Sequence, residues 1–176
     1  MPDIILSKSI NGPFMLIHEV TGTYLEMDNY HDGVGQGIQT WNLDPTLTSK
    51  GYLGHLWYLE PVSEDTCLIK SYENSRCLTA GVNAKAVPVL QNPDGSDKQK
   101  WVIRRVHGSD GLTDDADSYA ILPKSYPGYA LSVQNNLVAN NVYVSPTSTW
   151  GGPPSISQYW KAVLQREVAQ AGAGTA

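Results

Sequence analysis

An all-β fold of three four-stranded repeats about a pseudo-threefold axis is what this sequence predicts, on three observations. A Trp set two residues after a polar side chain and leading into apolar residues recurs three times. The copies are His55-Leu56-Trp57-Tyr58-Leu59, Gln99-Lys100-Trp101-Val102-Ile103 and Gln158-Tyr159-Trp160-Lys161-Ala162-Val163. Turn formers are frequent, with 16 Gly and 11 Pro in 176 residues, which favours short strands. No window keeps a 3.6-residue apolar stripe beyond about two turns, so long helices are not expected.

Each repeat reads in the same order. In the first, the Asn11-Gly12-Pro13 turn precedes a strand at Phe14-Met15-Leu16-Ile17-His18-Glu19. Tyr24-Leu25-Glu26-Met27 and Ile38-Gln39-Thr40-Trp41 follow as strands, separated by the Asn/Asp-rich loop from Asp28 to Gly33. A loop from Asp44 to Gly54 leads to the fourth strand, which carries Trp57. In the second repeat the strands fall at Cys67–Lys70, Cys77–Ala80, Val87–Leu90 and from Trp101. A polar spacer, His107 to Asp117, leads to the third repeat, with strands at Tyr119–Leu122, Ala130–Val133, Asn140–Val144 and from Trp160. The small residues of 165–176 read as a frayed tail, with a short helix over Ala162–Ala169 as the alternative.

A four-stranded unit of this size cannot bury a face alone, whereas three around one axis can share a core. That arrangement is a β-trefoil. It is expected as a single domain over 1–164, with repeats at about 13–62, 66–106 and 118–164 and a C-terminal tail at 165–176.

Composition removes several function classes. The formal net charge of −5 argues against a nucleic-acid binder, which needs a basic stripe. No apolar run approaches the roughly 18 residues that cross a bilayer, so membrane insertion is not expected. Met1-Pro2-Asp3-Ile4-Ile5-Leu6 lacks the pattern of a signal peptide, which predicts a protein that is cytoplasmic or released without one. Cys67 and Cys77 read as buried thiols, with a bridge across neighbouring strands as the other option. The four His residues show no metal-ligand spacing, no nucleophile elbow is present, and Gly33–Gly37 lies in a hairpin rather than before a helix. Neither catalysis nor a metal or other cofactor is expected.

The three Trp motifs resemble those of the ricin B-type (Gln-x-Trp) lectins, including their signal-less fungal members, from about Phe14 to Leu164. The first copy departs from the pattern, with His55 where Gln is usual. The resemblance implies a lectin for galactose- or N-acetylgalactosamine-type glycans, and makes the Trp residues architectural, each Gln holding a loop. It places an acidic residue after the second strand's Leu, an aromatic late in the third strand, and a polar residue before the Gln-x-Trp. Physically, a pyranose needs acceptors for its paired hydroxyls and an aromatic ring over its C–H face.

Read at those positions, the acidic site holds Glu26, Thr79 and Ser132, and the aromatic site Trp41, Leu90 and Ser145. The polar site holds Gly54, Lys98 and Ser157. Only the first repeat keeps an acid with an aromatic, so the resemblance implies a main site at Glu26 and Trp41. Gln39, Asn42, His55, Asp28 and Asn29 complete that candidate set. Gln134-Asn135-Asn136 with Tyr143 is a second polar and aromatic set, in the third repeat. The partners implied are glycans or glycoconjugates, and a homodimer would give one site per chain useful avidity. The competing reading is a β-trefoil protease inhibitor acting through an extended loop such as Thr149-Trp150-Gly151-Gly152-Pro153-Pro154. A third is an interaction module whose sugar sites have decayed.

Overall fold

The computed structural model describes residues 12–27, 33–35, 37–42, 50–106, 118–139 and 142–164. Among them are twelve strands, four to each repeat. The first unit holds β1 (Phe14–His18), β2 (Tyr24–Met27), β3 (Ile38–Trp41) and β4 (Trp57–Pro61). The second holds β5 (Thr66–Ser71), β6 (Cys77–Thr79), β7 (Val89–Gln91) and β8 (Trp101–Arg105). The third holds β9 (Ser118–Pro123), β10 (Tyr129–Val133), β11 (Val142–Ser148) and β12 (Trp160–Leu164).

The pairings explain how these short strands become one body. β1 pairs β4, β4 pairs β5, β5 pairs β8, β8 pairs β9, β9 pairs β12 and β12 returns to β1, all antiparallel. Six strands, the first and last of each unit, thus close a barrel. Closure leaves none of the six with an unpaired edge along its whole length. The remaining strands form three hairpins, β2–β3, β6–β7 and β10–β11. β3 also pairs β11, and an isolated bridge joins Gly37 to Val89, so the first hairpin contacts both others.

The three Trp residues anchor the shared core. Trp57, Trp101 and Trp160 have no exposed surface, and each indole N–H donates to the carbonyl of an equivalent Leu. The acceptors are Leu25 O at 2.9 Å, Leu78 O at 2.9 Å and Leu131 O at 3.0 Å. Burying a ring of this size contributes roughly 4–6 kcal/mol, from about 150–250 Å² of largely apolar area. The bond satisfies the indole donor, which would otherwise be costly in that setting.

Some expected details change. The Asp44–Gly54 segment contains a four-residue helix, α1 (Lys50–Leu53), rather than loop alone. The helix alternative over Ala162–Ala169 is replaced at its start by β12, which zips against β1 from Phe14↔Leu164 to His18↔Trp160. The third strand of the second unit runs Val89–Gln91, and that of the third unit Val142–Ser148, each extending beyond its expected end. Cys67 and Cys77 are both buried and in the thiol form; Cys77 lies opposite Lys70, three residues along from Cys67. The 107–117 spacer and the 165–176 tail lie outside the described residues.

Candidate functional site

The β2–β3 hairpin sorts its side chains by alternation. Leu25, Met27, Ile38 and Thr40 turn inward, each at most 1% exposed. Tyr24, Glu26, Gln39 and Trp41 therefore share the outer face, in the pairs Tyr24↔Trp41 and Glu26↔Gln39. Trp41 is partly exposed, as a ring that must cover a ligand requires, and Asn42 is exposed just beyond it.

β11 adds a third row to this face. Its register sets Tyr143 opposite Gln39, so Glu26, Gln39 and Tyr143 run side by side across three strands. Tyr143 is 60% exposed. It thus adjoins the first unit's face as well as the third unit's Gln134-Asn135-Asn136 segment, which follows the Val133↔Val144 pair. The β3–β11 pairing joins strands of different units, which no local pattern reveals. Tyr24 was also missed, although it stands two residues before Glu26 and alternation alone would have placed it beside Trp41.

His55 closes the inner side of the site. Its Nδ1 lies 3.9 Å from Glu26 Oε2, and both side chains are nearly buried. Its ring is tilted against Tyr24, with centroids 5.7 Å apart. Glu26 thus lies between this imidazole and Gln39, its partner in the register. Asp28 and Asn29 lie outside the described residues.

The other two units show what His55 and Glu26 replace. Gln99 Nε2 donates to Thr79 Oγ1 and Asn92 O, while Gln99 Oε1 accepts from Asp94 N–H. Gln158 Nε2 donates to Thr147 O and Oγ1, and its Oε1 accepts from Ser155 N–H. Both glutamines are buried and brace the loop ahead of their Trp. The residue before them also contributes through its carbonyl. Gly54 O accepts from Met27 N–H, and Lys98 O from Ala80 N–H. Ser157 O instead accepts from His18 Nε2 at 2.7 Å.

Register corrects the aromatic position. Tyr24 pairs Trp41, Cys77 pairs Gln91, and Ala130 pairs Thr147. The counterparts of Trp41 are therefore Gln91 and Thr147, not Leu90 and Ser145. Leu90 faces the core and is fully buried. Ser145 pairs Ser132, which makes it the counterpart of Gln39.

The same outer face on the third unit opens into a groove of about 670 Å³. Its floor is a chain of hydroxyls. Thr147 Oγ1 donates to Ser132 Oγ at 3.1 Å, and Ser132 Oγ donates to Ser145 O at 3.3 Å. At its rim stands Trp150, 92% exposed, on a loop tied down at Thr149 and Gly152. Thr149 N and Oγ1 both donate to Gly128 O, and Trp150 N donates to Ser148 Oγ. Trp150 has φ +55°, and Asn135 and Asn136, which also line the groove, have φ +52° and +51°. Left-handed backbone costs a non-glycine residue of order 1 kcal/mol, so three such residues mark a loop cluster that its surroundings hold in place.

Among the described residues no group of three or more His, Cys, Asp or Glu could hold a metal ion. No described helix is long and apolar enough to cross a membrane.

No family model matches the sequence, and no curated protein does. Solved structures match the fold. The designed threefold-symmetric protein ThreeFoil superposes with a TM-score of 0.69 at 18% identity, over 88% of this chain and 100% of that one. The ricin B-like lectin of Macrolepiota procera, solved with lactose, gives 0.65 at 14% identity, over 88% and 97%. The C-half of the earthworm R-type lectin, solved with GalNAc, gives 0.61 at 17% identity, over 88% and 99%. At such identities the likeness is one of fold.

Proposed function

We propose that this chain is a β-trefoil of the ricin B type that binds glycans of the galactose or N-acetylgalactosamine kind, chiefly at the first unit. The observation that carries the reading is the shared outer face of Glu26, Gln39 and Trp41, with Tyr143 completing its row. A carboxylate and an amide accept from neighbouring hydroxyls, while the indole covers the apolar C–H face of the ring. Asn42 stands at the exposed end of that face, and His55 positions Glu26. Asp28 and Asn29 remain part of the proposed site through their place in the sequence. The lactose and GalNAc bound by two of the similar structures agree with this ligand class. The role is binding, with no reaction assigned. A homodimer would double the sites per particle and turn a weak monosaccharide contact into useful avidity.

Calorimetric titration with galactose, N-acetylgalactosamine and lactose tests it. Binding to the native protein should fall at least tenfold in Trp41→Ala and in Glu26→Gln. Retention of full affinity in both variants would place the site elsewhere.

One observation favours the inhibitor reading as a second choice. Trp150 projects almost wholly into solvent from an anchored loop, as a residue presented to a protein partner would. Tight inhibition of a serine or cysteine protease, lost in Trp150→Ala, together with no glycan binding, would favour it.

A further inference from the structure

The groove on the third unit differs chemically from the first-unit face. Among the described residues that line it there is no Asp or Glu, and Lys85 is the one charged side chain. Lys85 comes from the second unit, on the loop between β6 and β7. That loop is held in place from two sides. Gly81 O accepts from Tyr126 OH of the third unit at 2.8 Å, and Gly81 approaches Ala86 so closely that a methyl group there would collide. Lys85 N–H donates to Asn83 Oδ1, which fixes the turn that carries the lysine. The ammonium is exposed and makes no ion pair with a described residue.

The floor has a defined hydrogen-bond polarity. Gln158 donates to Thr147, Thr147 to Ser132 and Ser132 to the Ser145 carbonyl. Both hydroxyl protons are committed within the chain, while each hydroxyl oxygen has accepted once and keeps a lone pair. The floor is therefore an acceptor surface, suited to the hydroxyl donors of a sugar. Trp150 supplies an aromatic face at the rim. What remains is a cation with no ion-pair partner among the described residues, in a chain whose formal charge of −5 otherwise repels anions.

The geometry points to an acidic saccharide in this groove, its hydroxyls on Ser132 and Thr147, its ring against Trp150 and its anionic group on Lys85. The inference rests on the reading of the fold as a glycan binder but concerns a different face. Glu26 makes the first-unit face a poor host for an anion, so the two grooves divide neutral from acidic sugars. The anion can be a carboxylate, as in sialic or uronic acids, or a sulfate ester. The shared feature is one negative charge beside several hydroxyls.

The test uses the full chain carrying Trp41→Ala, so that binding at the first-unit face does not contribute. Sialyllactose, a glucuronic-acid disaccharide, galactose 6-sulfate and lactose are titrated calorimetrically at low and moderate salt. At least one acidic sugar should bind five- to tenfold more tightly than lactose, and the difference should shrink with salt. Which one binds separates carboxylate from sulfate recognition. Adding Lys85→Gln should remove the preference and Trp150→Ala the binding, while Lys85→Gln alone leaves lactose binding by the native first unit intact. The inference is overturned if no acidic sugar binds the Trp41→Ala protein, if lactose binds it equally well, or if Lys85→Gln changes nothing. Loss of lactose binding in the native protein, with acidic sugars still bound, would instead count against the first-unit site alone.

Discussion

The Glu26 carboxylate stands 3.9 Å from His55 Nδ1, at the two positions that Thr79 and Gln99 fill in the next unit with a direct hydrogen bond of 3.2 Å. One unit has exchanged a neutral donor–acceptor pair for an ionisable one without moving the backbone bonds around it. Met27 N–H still reaches Gly54 O, as Ala80 N–H reaches Lys98 O. The neutral pair serves the loop. The ionisable pair places a carboxylate where the next unit has a hydroxyl.

That exchange should be reversible in pairs. Glu26→Thr or His55→Gln alone leaves a buried polar group facing the wrong partner, at about 1–3 kcal/mol. The double variant recreates the Thr79–Gln99 arrangement and should recover most of the loss. Urea denaturation of the four proteins measures the coupling. Additive losses would show that the two side chains do not act as a unit.

The three indole bonds should be equivalent in energy. Trp57→Phe, Trp101→Phe and Trp160→Phe each lose an N–H···O=C bond to Leu25, Leu78 or Leu131 and leave a void beside the buried carbonyl. Each should cost about 2–4 kcal/mol in chemical denaturation, with values within about 1 kcal/mol of one another.

His18 should make the barrel seam acid-sensitive. Ser157 O can only accept, so Nε2 carries the proton, and Nδ1 accepts from Thr21 Oγ1 at 2.9 Å. Burial holds the imidazole below its ordinary value, against the Ser157 carbonyl and Glu19, which pull it up. Below about pH 6.5 the unfolded chain takes up a proton that the folded one refuses, so stability falls as pH drops through that point. The stabilising contribution is fully present above it. Thermal unfolding at pH 7.5 and 5.0 should show a larger loss for the native protein than for His18→Gln.

Trp150→Gly should separate stability from binding. Gly adopts φ +55° without steric cost, and little buried surface is lost because the ring is in solvent. Melting should be unchanged or slightly raised, by up to about 1 kcal/mol, while acidic-sugar binding disappears.

Cys67 and Cys77 should resist modification in the native state. Both are fully buried, and burial pushes the Cys77 thiol up, which lowers its thiolate fraction. Ellman's reagent should titrate two thiols in denaturant and react far more slowly without it.

The repeat architecture was legible because it depends on local signals. The Trp motifs, the turn residues and strands such as Tyr24–Met27 lie within short windows. The acidic position was legible for the same reason, since it follows an inward Leu by one residue in every unit. The aromatic position was not. It depends on where a second strand pairs with the first, and loops of different length shift that register by one residue at Gln91 and two at Thr147. The second neighbour of Tyr143, Gln39, was not legible because it comes from another unit through β3–β11 pairing. The third-unit groove draws on β10, β11 and a loop of the second unit, so Lys85, the one charged side chain among its described lining, lies far from its floor in sequence.

The seam between β1 and β12 also governs the order of assembly. Its five register pairs, and the His18–Ser157 bond spanning 139 positions, join the first described strand to the last. During synthesis β1 must therefore wait, one side open, until two further units have left the ribosome. Contacts of such high sequence separation slow folding, because loop closure precedes any compensating burial. An exposed waiting strand invites intermolecular pairing. The threefold plan that lets three small units share one core thus makes each of them dependent on the last to be made.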